Sequence, residues 1–431
     1  MEHRHLDAAA LERLLATDRT TDQNEQLFHL LAVCRRCREV GGWLLELHQA
    51  KALPPAFGPV DAALARSRAE APRILEELAQ LDHQERLDRL QHEPRFVSWG
   101  LSELLVRRSG QTASEQALEA AHLAELAVQV AEMIPEGVPF EDRWVYQLRS
   151  LAWAGLGNAR RVQGDLFDAE RCFELSDSWW SAGTVDCDDA LGYEPVILDL
   201  KGSLRMAQRR FSEALELLDT AVSLFLEGEP GQRDPHLAGR SLIKSASVLI
   251  EAGKTASGIQ VLKKANGLID PDRDPRLLLC VRHNLVDTLS RADRHQEAAD
   301  LLPELKTLAG FHGSTMDRLR LDWVEGRVAS GLGDHAHAQT LLTRVRRAFL
   351  GDGNIYEAAL VTLDLAISSL EEGRSAEVCE LAEEMVSVFR AHDVDREALA
   401  AFLLFEESAR RETATAELAR QVAATLYRTR T

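Results

Sequence analysis

Residues 153–173 read WAGLGNARRVQGDLFDAERCF, and this stretch decides the fold class. Its spacing predicts two helices, A and B, that are joined by a turn at Gly164. We expect Gly157 and Ala169 to be small because helices A and B cross closely there. Gly164 is expected to close helix A in a backbone conformation that a Cβ atom resists. Phe173 is predicted to fill the space between this helical pair and the next.

The same pattern of small and large residues returns along the chain. Segment 99–134 is predicted to be an earlier, degenerate copy. The interval from Gly157 to Gly202 is 45 residues and that from Gly326 to Ala366 is 40 residues, so the helices or the loops must be longer than in an ideal 34-residue repeat. The downstream copies comprise Gly202, Ala214, Leu218 and Ala221; Ala246, Gly253, Gly258, Leu262 and Ala265; Ala298 and Leu302; Trp323, Gly326, Gly333, Ala338 and Leu342; and Ala366, Gly373, Val378 and Ala382.

This order of an aromatic residue, Leu-Gly, Gly-Asp, Ala and Phe resembles the tetratricopeptide (TPR) repeat, and the resemblance covers about residues 95–430. It implies an all-α fold, a right-handed α-solenoid of TPR-like helical hairpins, with a small helical module before it. The expected segments are a small helical module at 1–50, a linker with charged helices at 51–94, the repeat array at 95–412 and a C-terminal capping helix at 413–431.

Composition and charge limit the classes of partner. The chain has 431 residues and a formal net charge of −19, and such an acidic surface repels phosphate backbones, so we expect no general nucleic-acid binding. No run of 18 apolar residues occurs, which predicts that no segment spans a membrane. Single scattered cysteines are expected to be reduced core thiols, which predicts a soluble, cytoplasmic protein. They are Cys172, Cys187, Cys280 and Cys379.

One cluster near the N-terminus has the residue types of a metal site. His29, Cys34 and Cys37 provide imidazole and thiolate ligands that suit zinc, and His5, or His3, on the preceding predicted helix can complete a tetrahedron. The arrangement resembles the zinc-binding helical domain of anti-sigma factors, which has His-x3-Cys-x2-Cys at the end of a helix. The resemblance implies one zinc ion as a possible cofactor.

The spacing leaves an alternative open. This chain has four residues between His29 and Cys34 where the anti-sigma pattern has three, so the helix must end or bulge before Cys34 for both side chains to face one metal. The alternative is a helical module without zinc whose two cysteines are buried. A redox Cys-x-x-Cys pair is a third reading, although no βαβ pattern surrounds it.

The TPR resemblance also implies where a partner binds. Proteins of this type hold peptides or partner helices in a groove lined by the A helices. Counting from Gly157 places a mixture of polar, charged and aromatic side chains on that groove, which is suited to a partner segment anchored by an aromatic residue and by ion pairs. The candidate groove residues are Asn158, Arg161, Asp199, Ser203, His283, Asp287, Trp323 and Arg327, with Leu363 and Ile367 in the last copy.

The sequence therefore predicts a non-enzymatic scaffold or adaptor that binds a partner protein or peptide in the groove. It contains no Gly-x-Ser-x-Gly, His-Glu-x-x-His or Gly-x-Gly-x-x-Gly motif, so no enzyme class is indicated. The alternative is a transcription regulator whose N-terminal module binds a sigma factor in the manner of zinc anti-sigma factors. Bound metal and a sigma factor among the captured proteins would distinguish the alternative from the scaffold.

Overall fold

A computed structural model describes residues 59–113, 116–137, 140–184, 191–227, 233–392 and 394–429. In these ranges the regular structure is helical, with eighteen α-helices and a 3-10 turn at Pro94–Phe96. The chain divides into two compact units, unit 1 up to Arg210 and unit 2 from Phe211. No helix in the described ranges is both long enough and apolar enough to cross a lipid bilayer.

Unit 1 is built from helical pairs. Helix α3 pairs with α4, α5 pairs with α6, and α7 packs against α5. A Cβ atom on Gly157 of α5 would lie 2.8 Å from the ring of Phe173 on α6, so the close crossing expected at this glycine is present. The helices are α1 (Pro59–Ala79), α2 (His83–His92), α3 (Trp99–Thr112), α4 (Ala117–Met133), α5 (Asp142–Val162), α6 (Leu166–Thr184) and α7 (Glu194–Ala207).

Unit 2 continues the pattern with a regular repeat. Its A helices begin at Pro235, Pro275, Thr315 and Ile355, which is a spacing of 40 residues. Most of its helices have 17 residues, so two helices already use the length of an ideal repeat. The helices are α8 (Phe211–Glu227), α9 (Pro235–Glu251), α10 (Thr255–Leu268), α11 (Pro275–Arg291), α12 (His295–His312), α13 (Thr315–Gly331), α14 (His335–Gly351), α15 (Ile355–Glu371), α16 (Ser375–Ala391), α17 (Arg396–Arg410) and α18 (Ala416–Thr429).

Local sequence signals explain the helix starts in unit 2. The side chains of Asp234, Asp274 and Ser314 each accept a hydrogen bond from a backbone N–H of the first turn that follows. Such caps satisfy donors that would otherwise have no partner, and each contributes about 1 kcal/mol. Proline occupies the first helical position of α9 and α11, where its missing N–H costs nothing.

The turns between A and B helices show where glycine is required. Gly253, Gly333 and Gly373 have φ of +77°, +85° and +73°, and Gly164 of unit 1 has +86°. Asp293 occupies the equivalent turn after α11 with φ +56°. Aspartate tolerates this left-handed region better than most residues, but it is still less favourable there than glycine.

The predicted fold class, all-α with TPR-like helical hairpins, is confirmed. The degenerate copy predicted at 99–134 corresponds to the pair α3 and α4, and α18 falls in the segment 413–431 that was predicted as a C-terminal helix. Helix α18 packs against α17 and also against α15, the A helix of the preceding pair. It is therefore more than a cap on the last helix. The segment boundaries stay predictions, and the module at 1–50 lies outside the described residues.

Candidate functional site

The candidate residues of unit 1 lie on α5 and α7. Arg161 donates from Nε and Nη2 to Oδ1 of Asn158, at 3.2 and 2.9 Å. Ser203 donates to the backbone carbonyl of Asp199 one turn earlier. Burial lowers the pKa of the Arg161 guanidinium, and the charge of Asp199 opposes this only in part. The structure thus places an arginine here whose charge is incompletely compensated.

The candidate residues of unit 2 lie on α11 and α13, and an ion pair joins these helices. Arg327 of α13 donates from Nη1 to Oδ1 of Asp287 on α11, at 2.7 Å. His283 lies one turn before Asp287, and Trp323 lies one turn before Arg327. The register counted from Gly157 therefore brings these four residues together on neighbouring A helices.

Asp364 of α15 completes this cluster and was not among the candidates. Its Oδ2 accepts hydrogen bonds from Trp323 Nε1 at 2.6 Å and from Arg327 Nε and Nη2 at 3.2 and 3.1 Å. The counted register gave Leu363 instead, and that side chain is fully buried in the core of unit 2. The signal that identifies Asp364 comes from Trp323 and Arg327 on the preceding A helix, α13. Both side chains are largely buried, and a buried Trp or Arg requires a hydrogen-bond acceptor.

The electrostatics of the unit 2 cluster favour its ionised form. Burial alone would raise the pKa of Asp287, but the charges of Arg327 and Arg291 outweigh burial and hold this pKa below its ordinary value. Burial works against the Arg327 charge too, yet Asp364 and Asp287 outweigh it and raise the pKa of the guanidinium. Two carboxylates thus fully compensate one arginine.

Two cavities flank the cluster. The larger, about 410 Å³, lies along α11 and α13 and is lined in part by Leu279, His283 and Arg320. The smaller, about 220 Å³, lies between α11, α13 and α15 and is lined in part by Ser290 and Ile367. We call this surface the A-helix groove of unit 2 and define it by His283, Asp287, Trp323, Arg327, Asp364 and Tyr427.

Tyr427 of α18 lies at the centre of the A-helix groove and lines both cavities. The guanidinium of Arg291 lies over its ring, 4.3 Å from the centroid. Burial raises the pKa of the Tyr427 hydroxyl. Sequence reasoning did not place Tyr427 here, because its position depends on how the C-terminal helix folds back onto the A helices.

A second hydrogen-bonded network, in unit 1 and buried only in part, was also missed. Arg68 donates to both carboxylate oxygens of Glu103 at 2.7 Å, and Tyr193 donates its hydroxyl to the same carboxylate. Trp99 Nε1 in turn donates to the Tyr193 oxygen at 3.0 Å. Each of these groups has a partner within the network, so we interpret it as a support that joins α1 and α3 to the start of α7.

The predicted metal ligands His5, His29, Cys34 and Cys37 lie outside the described residues. The described part of the chain contains no group of three or more His, Cys, Asp or Glu residues arranged to hold a metal ion. Cys172 is buried, as expected for a core thiol, and burial raises its pKa to about 11. The same expectation was wrong for Cys280, which is exposed because its position on α11 lines the larger cavity.

No protein-family model and no curated protein sequence matches this chain. Among solved structures, the apo form of RapI has a TM-score of 0.53 at 11% identity, over 86% of this chain and 98% of that chain. A Rap protein complexed with competence and sporulation factor has a TM-score of 0.48 at 15% identity, over 76% of this chain and 95% of its own. Aspartyl phosphate phosphatase F from Bacillus subtilis has a TM-score of 0.45 at 13% identity, over 96% of this chain and 98% of its own. At these identities the similarity to RapI shows a shared TPR-like helical-repeat fold. The phosphatase designation and the complex with competence and sporulation factor belong to those proteins.

Proposed function

We propose that this chain is a non-catalytic protein-interaction scaffold that holds a segment of a partner protein in the A-helix groove of unit 2. The groove combines the features of a peptide-binding surface. It has apolar walls, an aromatic side chain at its centre and charged residues at its rim. Such surfaces bind through a few buried anchors surrounded by polar contacts.

Unsatisfied polar atoms at the cavities carry this proposal. In the described part of the chain, His283 Nε2, Ser290 Oγ and His295 Nδ1 have no hydrogen-bond partner although they are buried. All three residues line the cavities of the groove. Buried polar groups are nearly always paired with protein or water, so we propose that a partner in the groove supplies the missing hydrogen bonds once the side chains that cover these atoms move.

Binding is favoured over catalysis by the state of the ionisable groups. Arg327 donates hydrogen bonds to both Asp287 and Asp364, and the Asp287 pKa is lowered while the Arg327 pKa is raised. Groups held in their charged forms in this way suit ion pairing, whereas a general acid or base requires a pKa near the working pH. The partner is proposed to be a protein or peptide, because the net charge of −19 disfavours nucleic acid.

Affinity capture with matched charge reversals tests the proposal. The full chain is used as bait in an extract of its source cells, with Arg320→Glu in the groove and Arg347→Glu on α14 as the control. Both arginines are exposed, so neither change should alter stability by more than about 0.5 kcal/mol. We expect the wild type and Arg347→Glu to capture the same partner and Arg320→Glu to lose most of it.

Two outcomes of this capture would contradict the proposal. One is equal capture by Arg320→Glu and the wild type. The other is a selective loss with Arg347→Glu, which would move the binding surface to the B helices. Circular dichroism of each variant confirms that it is folded.

A further inference from the structure

Helix α18 makes contacts on two of its faces. One face is part of the core of unit 2, where Ala419, Val422 and Leu426 are 0%, 4% and 0% exposed and belong to the same cluster as Phe402 and Phe405 of α17. The other face is turned to the A-helix groove. Its side chains line the smaller cavity, and they are Arg420, Ala423, Ala424 and Tyr427. A helix that only capped the array would need the first face alone.

The groove-facing side of α18 carries the contacts expected of a bound ligand. Tyr427 supplies an aromatic ring that stacks under the Arg291 guanidinium. Cation–π contacts of this kind contribute about 0.5–2 kcal/mol. Arg420 lies 3.9 Å from the carboxylate of Asp293, at the turn after α11. An aromatic anchor and a basic residue seven positions apart thus face one side of the helix.

The fit between α18 and the groove is incomplete. A cavity of about 220 Å³ remains beside Ala423 and Ala424. Empty volume of this kind forgoes dispersion contacts that larger side chains would make. The Arg420–Asp293 pair is long, and its side chains are 47% and 71% exposed, so it contributes little. A second helix with larger residues at these two positions could bind the same surface more tightly.

The turn after α11 lies beside α18. Asp293 adopts φ +56° at the position where the equivalent turns after α9, α13 and α15 have glycine. Glycine would relieve the backbone cost of this conformation. The aspartate side chain lies 3.6 Å from His295 and 3.9 Å from Arg420 of α18, while the equivalent turns after α7 and α17 also carry non-glycine residues, Arg209 and Glu412.

We infer that α18 is a built-in occupant of the A-helix groove, and that a partner binds as a helix that replaces it. This inference rests on the proposed function and specifies the chemistry of the partner. The partner helix carries an aromatic side chain in the place of Tyr427, a basic residue near Asp293 and larger apolar residues in the places of Ala423 and Ala424. The free energy needed to move α18 lowers the apparent affinity of the resting protein.

Fluorescence anisotropy tests this inference without knowledge of the partner. The probe is a labelled peptide of residues 413–431, titrated with the wild-type full chain and with the full chain carrying Tyr427→Ala. We expect the variant to bind the peptide at least tenfold more tightly than the wild type, because its own α18 competes less well. The control protein carries Phe311→Ala, which removes an exposed ring of α12 and should bind the peptide as the wild type does.

A second variant guards against misfolding of the first. Asp293→Gly matches the glycine of the equivalent turns, so it should preserve the fold while removing the partner of Arg420. We expect it to bind the peptide more tightly than the wild type by a smaller factor, about two- to threefold. Equal peptide affinity for the wild type and both variants would overturn the inference. So would equal binding of a peptide that itself carries Tyr427→Ala.

These results are separable from the fate of the proposed function. If Arg320→Glu abolishes partner capture while the peptide shows no preference for the variants, the groove binds partners and the role of α18 is wrong. If the peptide binds the variants more tightly than the wild type while Arg320→Glu captures as much partner as the wild type, α18 occupies the groove but the partner binds elsewhere.

Discussion

The A-helix faces of unit 1 and unit 2 each carry an arginine, four residues after Gly157 in unit 1 and one residue after Gly326 in unit 2, and the two units balance its charge differently. Arg161 of unit 1 donates to the amide oxygen of Asn158, and burial lowers its pKa. Arg327 of unit 2 bonds to two carboxylates, Asp287 and Asp364, and its pKa is raised. The A-helix face thus carries a weakly compensated cation in unit 1 and, one helical turn away in the repeat register, a paired one in unit 2.

This difference shows that repeat geometry fixes where a side chain lies, while its neighbours on adjacent A helices fix what it does. Removing one member of a buried charge pair leaves the other without compensation, which is costly. Removing a charged side chain costs less stability where burial already disfavours its charge. The predictions below test first whether the two units share one helical geometry and then whether their charges differ as described.

The largest effect is expected from the helix crossings that the two units share. A Cβ atom would lie 2.8 Å from Phe173 at Gly157 and 2.8 Å from Leu342 at Gly326. We expect Gly157→Leu and Gly326→Leu each to lower the free energy of unfolding by about 3 kcal/mol, the upper end of the usual cost of overpacking. Urea unfolding followed by circular dichroism measures this. A loss below about 0.5 kcal/mol at either site, the level of a surface change, would mean that the two units are not built alike.

The next effect separates the two arginines. Arg327→Met should cost about 2 kcal/mol, somewhat less than a fully buried pair because the three side chains are 12%, 25% and 17% exposed. Arg161→Met should cost no more than about 0.5 kcal/mol, since it removes a charge that burial disfavours. Hydrogen exchange of the α13 and α5 amides reports the two units separately. Equal losses of stability for Arg327→Met and Arg161→Met would show that the two arginines are not compensated differently.

A smaller, pH-dependent effect is expected at Asp287. Its pKa in the folded protein lies below the ordinary value, which is about 3.9. Its contribution is therefore complete above the ordinary pKa and is lost as the pH falls through the folded pKa. Asp287→Asn should cost about 1.5 kcal/mol at pH 7, and the difference from wild type should shrink as the pH is lowered below 4.

Urea midpoints at pH 7, 5 and 3 measure this pH dependence. The control is Asp300→Asn, which removes an exposed carboxylate of α12 and should leave the pH profile unchanged. A cost of Asp287→Asn that stays constant from pH 7 to pH 3 would show that charge is not the source of its contribution.

The smallest effect is expected at Trp323. Trp323→Phe removes the Nε1–H that donates to Asp364 but leaves the bonds of Arg327 to that carboxylate in place. We expect a loss of about 1 kcal/mol, measured in the same urea titrations. A loss above that of Arg327→Met would indicate that ring packing, and not the shared carboxylate, stabilises the cluster.

The helical pairs were predictable from the sequence because local rules determine them. Gly253, Gly333 and Gly373 mark turns that require positive φ, and Gly157 marks a crossing with no room for a side chain. The register counted from these glycines also placed Asp287 and Arg327 on one surface. Periodicity alone carries this information.

The rest of the candidate site depends on contacts between distant segments. Asp364 is one position away from the counted register, and only the geometry of three adjacent A helices shows that it reaches Arg327. Tyr427 enters the groove because α18 packs on α15, and nothing in the sequence of α18 distinguishes this from packing on α17 alone. The N-terminal zinc hypothesis concerns residues that the structure does not describe.

Site-specific photo-crosslinking in the source cells tests the central claim most directly. A photoreactive amino acid replaces His283 in the A-helix groove of unit 2 or, as the control, the exposed Gln296 on α12, and crosslinked peptides are identified by mass spectrometry. The account predicts that position 283 crosslinks to one defined segment of a partner protein and position 296 does not. A partner that is captured from position 296 but never from position 283 would contradict it.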